Sequence, residues 1–275
     1  HIGGNCYTEK QDGIIYNLYG GHIFHTHNKR IWEYASRFTD WQQYEHRIKA
    51  MYMGKMYSFP PNKMTLQQMD LRDHQDIEKE IRATFFEGYT AKQWGRPLSE
   101  VPESVIKRIP IRDSWDDRYF DDPYQGLPLN GYTPMVQQML MGANVELEAD
   151  YLDDLEYWRK KAGQVIYTGP LDELYSCDLG RLEYRSLRFE MKRHETPDLL
   201  GCPAINYTDC LTAFTRRIEW RHWWRTKAKP YTLITTEYPQ AYDGTNEPYH
   251  PVGDEPKRAL PRQDLERARA DGYNI

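Results

Sequence analysis

The residues best equipped for chemistry lie between Gly88 and Phe120. Gly88-Tyr89-Thr90-Ala91-Lys92-Gln93-Trp94-Gly95-Arg96-Pro97 leads on to Lys107-Arg108-Ile109-Pro110 and Tyr119-Phe120. On an ideal helix Tyr89 and Trp94 lie about 140° apart, so one core-facing stripe does not explain both. Gly95 and Pro97 end any helix just past Trp94. An indole at a helix end, phenol hydroxyls beside it and a cation from the next helix suit one kind of ligand. It has a base to stack on and a phosphate to neutralise. Ordinary half-buried aromatics are the plainer reading of the same residues. Arg108 falls on the last turn of a short expected helix, where the dipole favours a cation, so a structural role is open to it too.

A second group is rich in histidine. Gly20-Gly21-His22-Ile23-Phe24-His25-Thr26-His27 presents three imidazoles behind two glycines. Hydrogen bonding toward a cofactor or substrate is one reading and packing another. Metal ligation is disfavoured, because no Cys or acid stands nearby at site spacing. Asp116, Asp117, Asp121 and Asp122 flank Tyr119; a solvated loop is expected there, with a divalent-ion site as the rival. Gly3-Gly4-Asn5 permits positive φ and close approach of backbone to a ligand, or a simple turn.

The elements that must carry these groups follow from pattern. The 275 residues suffice for one large domain or two smaller ones. A strand is expected over residues 13–19. Asn28 can cap a helix in which Ile31, Ala35 and Phe38 recur at helical spacing. Residues 48–59 alternate around Gly54 as a hairpin. A charged helix is expected over 66–86, a short helix over 99–108, a Gly/Pro-rich loop over 125–133 and a helix over 135–141. Further strands are expected at 145–147, 164–170, 184–190, 204–207 and 231–236. Arg216 and Glu219 then fall in a connection. Residues 263–270 read as a frayed, charged helix with little to bury.

Composition excludes some classes. The net charge of −5 argues against electrostatic binding of nucleic acid. No apolar run reaches the roughly 18 residues of a membrane span. Cys6, Cys177, Cys202 and Cys210 form no C-x-x-C pair and read as free thiols of a reducing cytoplasm. The first residue is His1 rather than Met, so an intact translation product is not expected.

Ten segments in order carry a resemblance: HIGGN (1–5), YGGHIFHT (19–26), GYTAKQWGRP (88–97), KRIPIR (107–112), RYFDDPYQGLPLNGYTP (118–134), VIYTGPLDE (165–173), LEYRSLRFE (182–190), INYTD (205–209), FTRRIE (214–219) and TTEYP (235–239). Together they resemble the bacterial type of UDP-galactopyranose mutase. The resemblance implies an α/β fold. It would have an incomplete FAD-binding Rossmann-like part, a helical substrate domain and a twisted antiparallel or mixed sheet. The implied divisions are 1–30 (FAD-binding remnant), 31–62 (hairpin region), 63–141 (shortened substrate domain), 142–253 (sheet domain) and 254–275 (polar tail).

The implied reaction interconverts UDP-galactopyranose and UDP-galactofuranose, for galactofuranose-containing cell-wall polysaccharide. In the family the N5 of reduced FAD attacks the anomeric carbon and displaces UDP, so the catalysis is covalent and the cofactor's own. The implied substrate is UDP-galactose, the assembly a homodimer, and the compartment the cytoplasm.

By resemblance, Trp94 stacks on uracil, while Tyr89, Tyr119 and Tyr249 contact the nucleotide and diphosphate. Arg108 and Arg216 hold the diphosphate, and Glu237 lies near the sugar. Gly3, Gly4, Asn5, His22, His25 and Arg185 lie along the flavin, His25 with a catalytic part alongside Arg108 and Arg216. No metal is implied.

The departures are specific. The family's G-x-G-x-x-G turn and its G-R-L-G segment do not stand in these residues. Pro248-Tyr249-His250-Pro251 replaces P-Y-Y-P, and Gly21 stands where relatives usually have Pro. A second reading is therefore a flavin-free UDP-sugar binder or an inactive remnant. A third is a flavoprotein of the amine-oxidase type.

Overall fold

The computed structural model describes residues 1–71, 76–101, 111–252 and 259–275. The chain forms two compact units, one of residues 1–144 with 187–240, the other of 145–186 with 241–275.

In the first unit the hairpins follow from turn chemistry. Strands β1 (Thr8–Gln11) and β2 (Ile14–Asn17) pair antiparallel across Asp12 and Gly13, both at positive φ. Strands β5 (Ile48–Tyr52) and β6 (Lys55–Phe59) do the same across Met53 and Gly54. Two consecutive left-handed residues match the twist of the strands they join. Between the hairpins, Asn28 caps helix α1 (Lys29–Ala35) by accepting the Arg30 N–H at 2.9 Å.

The main sheet of this unit runs β6-β5-β9-β10-β11-β8, with β9 (Ala204–Tyr207), β10 (Arg216–Glu219), β11 (Thr232–Ala241) and β8 (Tyr184–His194). β5 and β9 are parallel, whereas β9–β10 and β10–β11 are antiparallel. A smaller sheet places β7 (Tyr124–Pro128) between β3 (Phe24–Thr26) and β4 (Trp41–Gln43). The core gathers Ile14, Ile48, Leu127, Ile218, Leu233 and three indoles that follow β10. Trp220, Trp223 and Trp224 each find an acceptor: the Thr235 hydroxyl, the Pro203 carbonyl and the Pro128 carbonyl. Large apolar faces are thus buried with no stranded N–H.

In the second unit the C-terminal helix Ala259–Ala270 packs Ala268 against Tyr167, Leu174 and Tyr273. Strand β12 (His250–Pro251) pairs with Tyr184 and Arg185.

Several expectations need correction. The single helix over 66–86 is broken: α2 (Lys63–Met69) stops at Asp70 in the left-handed region, and α3 (Ile77–Arg82) follows after residues 72–75, which lie outside the described set. The expected loop at 125–133 carries β7. Its Gly126 disguises the strand, but a Cβ there would press on the Gln42 carbonyl at 3.0 Å. The helix expected from 135 starts at Tyr132, with Pro134 in its first turn. Residues 145–147 are not a strand, and 164–170 retain only one isolated bridge, Ile166 to Asn274. Val145, Leu147 and Ile166 are exposed, so their apolar alternation has no sheet to serve. Arg216 and Glu219 lie in β10, not in a connection. Two charged residues at its start hid the strand. The C-terminal helix begins at Ala259 and buries Asp264 and Ala268, so it is not a frayed appendage. The short helix expected over 99–108, and Arg108 with it, lies largely outside the described residues, which show only a 3-10 turn at Leu98–Glu100.

Candidate active site

Helix α4 (Gly88–Trp94) and strand β10 build the centre of the site. Gly95 ends α4 in the left-handed region, as its residue type predicts. At the other end, Gly88 lies so close to the main chain of residues 208–210 that a Cβ would collide with the Thr208 carbonyl oxygen. The first turn of α4 is therefore pressed onto the segment after β9, and Tyr89 meets β10.

Arg216 is the hub. Its Nε donates to Asn206 Oδ1 at 3.1 Å and its Nη2 to the Tyr89 hydroxyl at 3.3 Å. The pairing registers place Asn206 on β9 and Glu237 on β11 directly opposite Arg216. Glu237 Oε2 stands 3.7 Å from Arg216 Nε, too far for a good hydrogen bond. The Arg216 side chain remains 30% exposed, while that of Glu237 is 6% exposed.

The electrostatics agree with this picture. Burial opposes the Arg216 charge, but Glu237, Tyr89 and Tyr119 outweigh it and raise the guanidinium further. Burial raises the Glu237 carboxyl above its ordinary range, only partly countered by Arg216. Burial also raises the Tyr89 phenol, so it stays a donor at neutral pH.

Around the hub stand Tyr119 and two histidines. The Tyr119 N–H donates to the His46 carbonyl at 2.7 Å, and its ring packs edge-on to His46. His46 is lowered to about 3, first by burial and then by Arg216. It is therefore neutral at any ordinary pH. Burial likewise lowers His22, with Arg216 acting in the same direction and backbone groups of Tyr19 and Asn5 opposing. His22 Nε2 is buried without a hydrogen-bond partner among the described residues. Gly20, at φ 87°, has Glu237 and Phe189 about where a Cβ would sit, and a Cβ on Gly21 would strike the Trp223 ring. Gly21 thus seats an indole against bare backbone.

His25 lies on β3, stacked on Phe120 at 3.7 Å between centroids, with Nδ1 2.7 Å from Asp122. His27, Asp121 and Asp122 offer ligand atoms within 4.8 Å of one another, but Asp122 is already engaged by both histidines.

The structure thus joins Tyr89, Arg216, Glu237, Tyr119 and His22 in one unit. Trp94 closes the same helix as Tyr89 with its indole half-buried, and no ring contact or hydrogen bond between it and the Arg216 cluster is found among the described residues. Arg108 is not among the described residues. Gly3 and Gly4 are both at positive φ and lead into the turn Gly4–Cys6. Arg185 and Tyr249 belong to the second unit, where the Tyr249 N–H donates to the Arg185 carbonyl at 3.0 Å.

Sequence reasoning missed Asn206, His46 and Lys92. Register alone reveals Asn206. His46 is a lone histidine without a motif. Lys92 sits inside the GYTAKQW segment, where Tyr89 and Trp94 carry the reading instead. Its Nζ in fact donates to the carbonyls of Tyr207, Thr212 and Phe214 at 2.8, 3.1 and 3.0 Å.

Comparison with known proteins defines the class and then the family. Residues 1–38 match the NAD(P)-binding Rossmann-like domain, and residues 84–273 match UDP-galactopyranose mutase. The chain is 33% identical over 92% of its length to the dTDP-fucopyranose mutase of Escherichia coli, covering 76% of that protein. It is 32% identical over 98% of its length to a probable UDP-galactopyranose mutase of Klebsiella pneumoniae, covering 78% of it. In fold it is similar to a crystal structure of reduced UDP-galactopyranose mutase, with a TM-score of 0.62, 12% identity, and coverage of 99% of this chain and 72% of that one. The Rossmann-like opening and mixed α/β sheets are those of a dinucleotide-binding fold, and the family match and relatives make it that of a mutase. The chain belongs to the UDP-galactopyranose mutase family.

FAD fits as the cofactor. The buried His22 Nε2, which has no hydrogen-bond partner among the described residues, is suited to a polar ligand atom. No helix among the described residues is long and apolar enough to cross a membrane.

Proposed function

We propose that this chain interconverts UDP-galactopyranose and UDP-galactofuranose, with Arg216 as the group that receives the diphosphate. One observation carries the proposal. Arg216 is held in place by an amide, a hydroxyl and one carboxylate at 3.7 Å, beyond a good hydrogen bond, so it is positioned while its charge is only partly compensated. A diphosphate completes such a site, and a forked guanidinium stabilises it as leaving group. Tyr89, neutral and already on Arg216, adds a hydroxyl donor. Glu237 and Asn206 fix the guanidinium plane. Trp94 offers its indole face to the uracil, Tyr119 adds a hydroxyl, and Arg108 supplies the second cation.

Gly3, Gly4, Asn5, His22 and His25 would hold FAD. Reduced FAD, when bound, supplies nucleophilic catalysis at the anomeric carbon. His22 keeps a neutral imidazole beside it, and Asp122 orients His25. Residues 63–141 serve as the substrate part and 142–253 as the sheet part of a cytoplasmic homodimer.

The test is turnover of UDP-galactofuranose by purified protein with dithionite-reduced FAD, following UDP-galactopyranose. No conversion contradicts the proposal. The likeness to the dTDP-fucopyranose mutase supports a second reading, in which a dTDP-6-deoxyhexose is the substrate. Faster turnover of dTDP-fucopyranose in the same assay selects it. Nucleotide binding without conversion, with or without flavin, selects a UDP-sugar binder.

A further inference from the structure

We propose that Lys92 is a positioning residue, one that sets the Tyr89–Arg216 contact and through it the affinity for the nucleotide. The inference rests on the reading of Arg216 as the diphosphate group.

An ammonium has three donors, and Lys92 uses all of them on backbone carbonyls. Those carbonyls are not scattered. Tyr207 directly follows Asn206, which holds Arg216 Nε, and Phe214 stands two residues before Arg216 itself. Thr212 lies between them in the turn that leads into β10. Asp209 shapes that turn by accepting the N–H groups of Leu211 at 3.0 Å and Thr212 at 2.8 Å. Lys92 therefore bridges both approaches to the guanidinium.

The helical side is equally specific. Lys92 lies three residues after Tyr89, about 60° away around α4, so both face the sheet. Gly88 presses the start of the helix onto Thr208, and Lys92 fastens it one turn later. Between these two clamps sits the only α4 side chain bonded to Arg216, among the described residues. Burial lowers the Lys92 ammonium, with Asp209 and Cys210 opposing. Its three donors are spent on carbonyls rather than held for substrate.

A lysine that merely stabilises the fold would lower the melting temperature and leave nucleotide affinity indifferent to the state of Tyr89. A positioning lysine acts through Tyr89, so the two substitutions must be non-additive. The experiment is isothermal titration of UDP and of dTDP into the wild type, Lys92→Met, Tyr89→Phe and the double variant. Each single substitution is expected to raise the dissociation constant about tenfold, the scale of one hydrogen bond to a charged group. In the Tyr89→Phe background, Lys92→Met should add less than about twofold. If the double variant instead shows the product of the two single effects, Lys92 does not act through Tyr89 and the inference falls. If the wild type binds neither nucleotide, the reading of Arg216 falls first and the inference with it. Lys92→Gln, which retains a donor, carries the same cycle if Lys92→Met does not fold.

Discussion

Two arginines of the first unit show how the same side chain can be spent or kept in reserve. Arg118 is consumed by Asp116: its Nε lies 3.0 Å from both carboxylate oxygens and its Nη2 2.7 Å from one of them. Glu45 stands 3.9 Å off as a second acid. Such a guanidinium has little charge left to offer. Arg216 has a neutral amide, a neutral hydroxyl and a carboxylate at 3.7 Å. It is as well located as Arg118 but far less compensated. The lesson is that an anion site is marked less by where a cation sits than by what fails to neutralise it.

The largest effect should come from removing the less compensated cation. Arg216→Ala is expected to lower turnover by about two to three orders of magnitude or more, in the range of lost transition-state charge stabilisation. Retention of over half the wild-type rate would erase the contrast between the two arginines. Trp94→Ala should weaken UDP by about 1–3 kcal/mol, the value of one base stack. An unchanged affinity would remove Trp94 from the site.

The environment of Arg216 also predicts a pH dependence. His46 is about 3 in the folded chain against an ordinary 6.5, because burial and Arg216 exclude its proton. The unfolded chain takes up that proton as pH falls through about 6.5, so this contribution to stability is present above that pH and declines below it. Between pH 7 and 5 the loss is roughly 2 kcal/mol, or about 4 °C in melting temperature. His46→Asn should flatten that slope; an unchanged slope would show that His46 is protonated in the fold. The smallest effect is reserved for the spent arginine. Arg118→Ala should cost less than about 1 kcal/mol of stability, as exposed ion pairs do, and change turnover little. A drop in turnover like that of Arg216→Ala would show that compensation is no guide to function.

Legibility in the sequence followed the range of the physics. Local signals were readable: Asn28 as a cap, Gly95 as a stop, Gly54 as a hairpin turn and the strands β8 and β9. Long-range pairing was not. Glu237 and Arg216 came from resemblance, but Asn206 required the register of β9 on β10. β10 itself was hidden because Arg216 and Arg217 open it, and charge at a strand start imitates a loop. Lys92 was unreadable for the opposite reason. Backbone carbonyls are its partners, and they leave no trace in residue identity. The failed strands at 145–147 and 164–170 show that apolar and β-branched residues predict a strand only where a neighbour exists to pair with it.

The most direct test is calorimetric titration of UDP into the wild type, Arg216→Ala and Arg118→Ala side by side. The expected result is loss of at least about a hundredfold in affinity for Arg216→Ala, the cost of roughly two charge-assisted bonds, with Arg118→Ala close to wild type. Equal dissociation constants for all three proteins would contradict the assignment of Arg216 to the diphosphate.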